Sequence, residues 1–401
     1  MPRRWREPRE YRRRYPACNL CGEKICSFST TEISEILYRN APKDLNILSP
    51  HNPWIQGRPA DLDDIHFDEM WTWSCPFRVV MFRLEKEGPR FHLSGVGELR
   101  PTHKVSLPQD EDEMILWNHR SESQHAPLIP NFVSTPAYPL GHLLGDGYHK
   151  AFPMHERCWH LMTRILDVEL IKKDMDIFFR AMCEPQRVTW REVNSSHVPP
   201  VYKEWLEFIS GLTPISYLIP LRFRAKDDAN PSHMPRHFRS ADPLNDSYMK
   251  NLIAKYTAKY TKQREKGFEP VSQYSSPTHT MSRRSQATFK PRNVLLPTEL
   301  ILNIADYLEH HKDIQTLLWV FPRWHSMIPD SYWRRRFIDD NYLENDQFPP
   351  ADALDWQHVY LNTDKLLRPS WGWRNRQRIL SRLEETKARF LQQLEQKEIQ
   401  D

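Results

Sequence analysis

The chain of 401 residues has few glycines and no long hydrophobic run. Its 11 glycines form neither the G-x-G-x-x-G turn of dinucleotide-binding proteins nor a phosphate loop that ends in Gly-Lys-Ser/Thr. A G-x-S-x-G nucleophile turn and an H-E-x-x-H zinc-protease motif are also missing. No apolar run approaches the ~20 residues that a membrane span needs. These absences favour a non-enzymatic protein that has no membrane partner.

Cysteine is scarce too, with six in the whole chain. Arg3, Arg4 and Arg6 follow Met1 without an apolar stretch behind them, so the sequence predicts no secretory signal and a cytoplasmic or nuclear location, or both. Thiols stay reduced in those compartments. A disulfide framework is therefore disfavoured, which leaves metal binding, catalysis or burial as roles for the cysteines.

Positive charge is low in total but unevenly placed. The formal net charge of +4 is too small to argue for a nucleic-acid partner by itself, and the sequence makes such a partner unlikely. Residues 3–15 nevertheless read RRWREPREYRRRY. We predict a disordered basic arm over residues 1–15, with nucleic-acid binding or nuclear import as the alternative.

Composition divides the rest of the chain into four parts. Residues 16–224 contain hydrophobic residues throughout, with two strands predicted in 77–99 and a helix in 155–182, so we expect a mixed α+β domain. Residues 225–291 are polar and rich in Pro, Ser, Lys and Arg, which predicts a disordered linker with at most a short helix around 248–260. A small all-α unit follows at 292–340, and residues 341–401 form a C-terminal extension. The predicted fold class is α+β.

Three of the six cysteines lie in the stretch PACNLCGEKICSF at residues 16–28. The C-x-x-C spacing of Cys18 and Cys21 lets two thiolates reach one tetrahedral ion, and the glycine that follows suits a tight turn. His155 and Cys158, at i and i+3 on the predicted helix, would supply two more ligands. The sequence therefore predicts a Cys₃His structural zinc site that joins the two ends of the α+β domain.

The alternatives for these cysteines are a redox dithiol at Cys18 and Cys21, or a buried core role for Cys158. We expect the other three cysteines to be buried thiols, although Cys26 could replace one zinc ligand. These three are Cys26, Cys75 and Cys183.

The segment 294–337 has the pattern of three short helices. Pro297 and Glu299 suit the first turn of a helix whose apolar positions recur at helical spacing. A second helix can begin at Asp313, and Pro322 can open a third that carries Trp324. Three short helices in ~45 residues bury little surface, so such a unit tends to need a partner.

The layout of this segment resembles the F-box family. The opening LPTEL, the stretch DIQTLLWVFPRWHSMI and the closing PDSYWRRRF carry the resemblance, which covers about a ninth of the chain. F-box proteins bind the Skp adaptor of SCF (Skp–cullin–F-box) ubiquitin ligases, and the resemblance implies that this chain does so too. The C-x-x-C and H-x-x-C pair resembles the N-terminal layout of F-box proteins of filamentous fungi. The residues that would bind the adaptor are Leu296, Pro297, Leu300, Ile301, Ile304, Ile314, Leu317, Val320 and Trp324, of which Ile314, Leu317 and Val320 could instead continue the helical core.

The C-terminal extension ends in an apolar stripe at Ile379, Leu383, Phe390 and Leu394. We predict an amphipathic helix that packs on the F-box or on a partner. The resemblance implies a substrate-recognition subunit of an SCF-type ligase, whose substrate is an unknown protein. The alternative is a zinc-stapled nucleic-acid-binding or scaffold protein without a role in ubiquitin transfer.

Overall fold

A computed structural model describes the following residues of the chain: 18–23, 25, 54–62, 72–85, 88–99, 104–117, 132–136, 143–144, 147–185, 212–214, 238–239, 241–266, 296–308, 310–343 and 347–400. The chain divides into two compact units. The first unit comprises Met1–Asn245 with Arg374–Asp401, and the second comprises Asp246–Trp373. The predicted basic arm at residues 1–15 lies outside the described residues.

The described strands belong to the first unit and pair antiparallel in small sheets. The largest sheet has the order β3-β2-β9-β8, and the others are β4-β5-β7, β1-β6 and β10-β11. The strands are β1 Trp54–Gly57, β2 Phe77–Glu85, β3 Gly88–Leu93, β4 Glu98–Leu99, β5 Lys104–Pro108, β6 Met114–Trp117, β7 Phe132–Pro136, β8 Leu143–Leu144, β9 Gly147–His155, β10 Cys183–Pro185 and β11 Leu212–Pro214.

The described helices occur in both units. Together with the antiparallel sheets of the first unit they confirm the predicted α+β class. None of the helices in the described part of the chain is both long and apolar enough to cross a membrane. The helices are α1 Glu156–Ile165, α2 Val168–Lys173, α3 Met175–Ala181, α4 Ser247–Glu265, α5 Thr298–Asp306, α6 His311–Val320, α7 Asp330–Asp339, α8 Trp356–Leu361, α9 Thr363–Leu367 and α10 Trp371–Gln400.

Strand β2 is the centre of the first unit because it is buried on both faces. Phe77, Val79 and Met81 lie on one face and belong to a cluster with Ile25 and Leu107. Arg78 points to the opposite face, as alternate strand residues do. Strand β9 pairs with β2 along its length, so that His155 lies opposite Phe77. This pairing fixes the position of the β9–α1 junction.

The predicted single helix at 155–182 is three short helices. The first break lies between α1 and α2. Asp167 caps the start of α2, because its carboxylate accepts a hydrogen bond from the N–H of Glu169. Asp174 separates α2 from α3. His155, which we expected on the helix, is the last residue of β9, while Cys158 lies in the first turn of α1.

The C-terminal helix α10 is amphipathic, and most of its predicted apolar stripe packs in the first unit rather than on the predicted F-box. Leu394 is only partly buried, and Trp373 in the first turn of α10 belongs to the core of the second unit. From Arg374 onward it belongs to the first unit, and Ile379, Leu383 and Phe390 are buried. The Phe390 ring meets the Phe178 ring edge to face with centroids 5.8 Å apart. The stripe shows that one face must be covered, whereas helical periodicity does not specify which surface covers it.

The second unit is helical and has one hydrophobic core that includes part of the predicted linker. Helix α4 lies where the sequence allowed a short helix within the predicted linker, around 248–260, but it is longer, at 19 residues. Met249 and Ile253 of α4 are buried in this core. Asp246 caps α4 by accepting hydrogen bonds from the N–H groups of Tyr248 and Met249. The core comprises Met249, Ile253, Ile301, Ala305, Ile314, Leu318, Trp324, Ile328, Tyr332, Trp333, Phe337, Ile338, Phe348, Leu354, Trp356, Val359, Tyr360, Leu361, Leu367 and Trp373.

Candidate metal centre and an exposed apolar helix face

Cys18 and Cys21 lie in a tight turn at residues 18–23, called the knuckle below. The N–H of Gly22 donates to the carbonyl oxygen of Cys18 at 2.9 Å, and the N–H of Cys18 donates to the carbonyl oxygen of Glu23 at 2.8 Å. Gly22 has a φ of 79°, in the left-handed region where a side chain would be strained. The turn therefore depends on a glycine directly after Cys21.

The knuckle lies against the β9–α1 junction, which supplies the other two residues of the motif. The N–H of Asn19 donates to the carbonyl oxygen of Pro153 at 2.8 Å. The backbone N–H of His155 donates to Cys18 Sγ at 3.4 Å, which links the two halves directly. Strand pairing positions His155, and the first turn of α1 then brings Cys158 to the same side.

The structure brings together all four residues that the sequence predicted as zinc ligands. Their ligand atoms lie within 4.8 Å of one another, and the four side chains are buried. His155 Nδ1 is 3.4 Å from Cys21 Sγ and 3.8 Å from Cys158 Sγ. Ligands of a tetrahedral zinc ion with Zn–N and Zn–S bonds of about 2.0 and 2.3 Å are separated by about 3.6 Å for such a pair. These residues could hold a metal ion.

The donor set limits which ion fits and what it would do. Three sulfurs and one imidazole nitrogen suit zinc or iron and do not suit magnesium or calcium, which prefer oxygen. The four side chains are at most 1% exposed, so the site has no side open to a substrate or to bulk water. Closed four-ligand sites of this kind are structural, because a catalytic site keeps one position open.

Burial and mutual hydrogen bonds separate the pKa values of the thiols. Burial raises the pKa of Cys18, but hydrogen bonds from the Cys158 and Cys21 thiols and from backbone N–H groups outweigh it and hold that pKa well below its ordinary value. Burial and interactions with the other two sulfurs raise the pKa of Cys158 well above its ordinary value. The cluster thus favours a thiolate at Cys18, which its neighbours stabilise. A bound cation would favour ionisation of the other thiols as well.

Helix α10 contacts the back of the knuckle. Arg378 Nη1 donates to the carbonyl oxygen of Cys21 at 2.9 Å and lies 3.4 Å from Glu23 Oε1. Arg239 Nη1 also pairs with Glu23 Oε1, at 3.2 Å. Sequence reasoning missed these supporting residues, because their separation in the chain gives no local signal.

The other cysteines do not join the cluster as far as the structure describes them. Cys75 is buried, as predicted. Cys183 begins β10, and its side chain is not described, while Cys26 lies outside the described residues. The geometry favours a metal site over the redox alternative, because Cys18 and Cys21 converge with two further candidate ligands.

The residues predicted to bind the adaptor divide into an exposed group and a buried group. On α5, Leu300 is 48% and Ile304 is 36% exposed, and Tyr307 directly after the helix is 88% exposed. These three residues, at i, i+4 and i+7, form the α5 stripe. Pro297 at the start of α5 is also exposed, so this side of the helix presents apolar surface.

Ile301, Ile314 and Trp324 are buried in the core of the second unit, so Ile301 and Trp324 do not belong to its exposed surface, and Ile314 takes the core role that the sequence left open. Ile301 is 0% exposed, because it lies about 100° around α5 from Leu300, on the side that packs in the core with Ala305. Ile314 of α6 and Trp324, in the short 3-10 helix Pro322–Ser326, are buried in the same core. The three remaining predicted residues are only partly buried; these are Leu296, Leu317 and Val320.

Sequence reasoning missed two exposed aromatic residues of this unit. Trp319 of α6 is 68% exposed, and Tyr307 of the α5 stripe was placed in the helical pattern without being assigned to the adaptor surface. Tyr307 could have been found from its i+7 spacing to Leu300. Large exposed aromatic side chains are typical anchors of protein interfaces.

Comparison with known proteins finds no relative: no protein-family model, curated protein or solved structure matches this chain. The resemblance to the F-box family therefore depends on the residues quoted above alone.

Proposed function

We propose that this chain is an F-box interaction protein that docks the Skp adaptor and acts as a substrate-recognition subunit of an SCF-type ubiquitin ligase. The observation that carries the proposal is the α5 stripe. One side of α5 is buried in the core through Ile301 and Ala305, while the other side exposes large apolar residues to solvent. Exposed apolar surface of this kind usually marks a protein-interaction site.

The chemistry of the α5 stripe suits a helical protein partner. Its residues follow the i, i+4, i+7 spacing at which one helix face inserts into a groove or between partner helices. The exposed Trp319 on α6 adds a second apolar contact from the neighbouring helix in the sequence. The adaptor would cover these side chains, and the first unit would bind the unknown substrate.

Co-purification with the Skp adaptor tests this role. We expect the wild-type chain to bind, and Leu300→Ala/Ile304→Ala to lose binding at least tenfold while its melting temperature stays within about 2 °C, because exposed truncations change stability little. Leu391→Ala/Ile399→Ala, which truncates exposed apolar residues of α10, is the matched control and should bind normally.

The outcomes separate the proposal from its alternative. A wild-type chain that does not bind the adaptor overturns the proposal. A chain that binds the adaptor but fails to recruit the cullin subunit would be a Skp-binding scaffold without a role in ubiquitin transfer. The arginine-rich arm, on which the nucleic-acid alternative rested, lies outside the described residues.

The proposal includes a structural zinc ion held by Cys18, Cys21, His155 and Cys158. The donor set and the separation of His155 Nδ1 from two sulfurs support zinc. The ion would join the knuckle to the β9–α1 junction and would stabilise the first unit without entering any reaction.

Metal analysis of the purified full-length chain tests this site. We expect about one zinc ion per chain, and less than a tenth of that in Cys158→Ser, because three ligands hold zinc far less tightly than four. Cys75→Ser removes a buried thiol outside the cluster and should keep its zinc. Stoichiometric iron, or no metal in the wild type, would show that the zinc assignment is wrong.

A further inference from the structure

Helix α4 carries an unusual excess of positive charge. Residues 247–266 contain six Lys or Arg residues and a single acid, Glu265. The whole chain is nearly balanced, with 56 basic and 52 acidic residues, so its composition hides this local excess. The segment was expected to lie in a linker, where such charge would have no fixed geometry.

Four of the six basic residues of this segment lie on one face of α4. Met249 and Ile253 are buried in the core of the second unit, and Arg264 Nη1 on that side donates to the carbonyl oxygen of Asp352 at 3.2 Å. At 100° per residue the opposite face carries four exposed lysines spread over about 16 Å of helix axis. This lysine face comprises Lys255, Lys259, Lys262 and Lys266.

The lysine face lacks compensating charge within the described part of the chain. No described carboxylate pairs with any of its four ammonium groups. Adjacent members are spaced i+4, i+3 and i+4, which places like charges side by side and destabilises the helix by about 0.2–0.5 kcal/mol per pair. An anionic partner would turn this repulsion into attraction.

The surroundings of the lysine face decide which class of anion fits. A membrane surface would need an exposed apolar face on the same helix, but the apolar face of α4 is buried in the core. Recognition of phosphorylated peptides relies on the planar fork of arginine, whereas lysine provides point charges. Point charges repeated along a helix fit a polymer whose charge also repeats.

An exposed aromatic residue extends the lysine face. Tyr248 is 40% exposed and lies seven residues before Lys255, two helical turns away on the same side. Bases of a single strand stack on such rings while basic residues hold the backbone. The sequence after α4 continues the positive charge, because residues 270–293 contain four Lys or Arg residues and no acid.

We propose that the lysine face of α4, together with Tyr248, binds a single strand of nucleic acid through its phosphates and one stacked base. This inference does not depend on adaptor binding, since the lysine face and the α5 stripe lie on different helices of the second unit.

Fluorescence anisotropy of the full-length chain with a labelled 12-nucleotide single-stranded DNA tests the proposal. Between 50 and 200 mM NaCl, we expect the logarithm of the association constant to fall with the logarithm of the salt concentration with a slope steeper than about −2.5. The reason is that each phosphate contact contributes about −0.7 to this slope, and the lysine face offers four such contacts. Lys255→Gln/Lys259→Gln/Lys262→Gln should weaken binding and reduce the slope by about 2. Tyr248→Ala should weaken binding about tenfold and leave the slope unchanged.

Matched controls make each result decisive. Lys173→Gln/Lys312→Gln/Lys365→Gln removes the same charge from exposed lysines elsewhere and should change the slope little. Melting curves of all variants check that the fold is kept. Absence of salt-dependent binding, or loss of binding on deletion of residues 1–15 but not in the α4 variant, overturns the proposal. Tighter binding of a poly-glutamate peptide than of DNA would assign this face to an acidic protein.

Discussion

Glu156 lies between two of the candidate metal ligands and fixes their spacing. Its carboxylate accepts two hydrogen bonds from the buried guanidinium of Arg78, at 2.6 and 2.7 Å. The same guanidinium lies over the Trp159 ring, 5.6 Å from its centroid. Arg78 thus anchors the first turn of α1, where Cys158 lies directly after strand residue His155. A metal would add to these contacts and to those that already hold the knuckle.

A carboxyl group in the second unit is protonated at higher pH than usual. Asp330 begins α7, and burial, assisted by the negative charge of Asp355, raises its pKa to about 6. Because the folded pKa exceeds the unfolded value of 3.8, the stability that protonated Asp330 contributes is complete below about pH 4. That stability is lost as the pH rises through about 6.

Asp330→Asn should therefore stabilise the second unit at neutral pH. The neutral amide removes the penalty of a half-buried charge, and we expect about 1 kcal/mol, or roughly 2–4 °C in melting temperature, at pH 7.5 after allowance for solvent screening. At pH 5 the gain should be smaller, since the wild-type carboxyl is then mostly protonated. Thermal unfolding at both pH values measures the difference. An equal gain at both would show that the charge is not the cause.

At the scale of elements, two adjacent residues of α10 lie on different faces of the helix, one buried and one exposed. Phe390 is 0% exposed, whereas Leu391 is 36% exposed. Phe390→Ala should reduce the free energy of unfolding of the first unit by about 3–5 kcal/mol, because it leaves a cavity beside Phe178. Leu391→Ala should change it by less than about 0.5 kcal/mol. Urea denaturation of both variants tests this pair, and similar losses would mean that α10 packs in another way.

The sequence predicted those elements whose signals are local. The C-x-x-C turn, the strands in 77–99 and the start of α5 at Pro297 depend on spacing, alternation and helix-start chemistry within a few residues. All four candidate metal ligands followed from two short motifs. Local patterns were sufficient because a cysteine pair before a glycine has few structural uses.

The sequence could not predict which surfaces meet. The apolar stripe of α10 showed that one face of that helix is covered, but not that most of it packs in the first unit. Helix α4 lies in a segment predicted as a polar linker, yet Met249 and Ile253 are buried in the second unit. The same limit explains the error at Ile301, since an amphipathic pattern does not say which apolar residues face the core and which face a partner. The breaks at Asp167 and Asp174 were missed because apolar residues continue through them.

At the scale of the whole molecule, metal removal should affect the two units differently. The candidate ligands all belong to the first unit. Adding a strong chelator to the full-length chain should speed amide hydrogen exchange in α1 and α10 about 100-fold, since a metal present at 100 times its Kd adds about 2.7 kcal/mol. Exchange in α7, in the second unit, should not change.

Hydrogen exchange read by mass spectrometry measures each helix in the same sample. The Cys158→Ser variant is the control, because the chelator should have no further effect on it. Faster exchange in α7 would mean that the units unfold together, and unchanged exchange in α1 would mean that no metal supports the first unit.

The first unit is built from chain segments that precede and follow the second unit in the sequence. It can therefore be completed only after the second unit has been synthesised. At 5–20 residues per second, ribosomes take roughly 10–40 s to reach Arg374 after making Cys158. Throughout that interval the knuckle lacks Arg378, and Phe178 lacks Phe390. The second unit is synthesised before the first is completed. Shortened products that stop soon after Trp373 would therefore keep the α5 stripe while their first unit stays unfinished, a combination that favours chaperone capture.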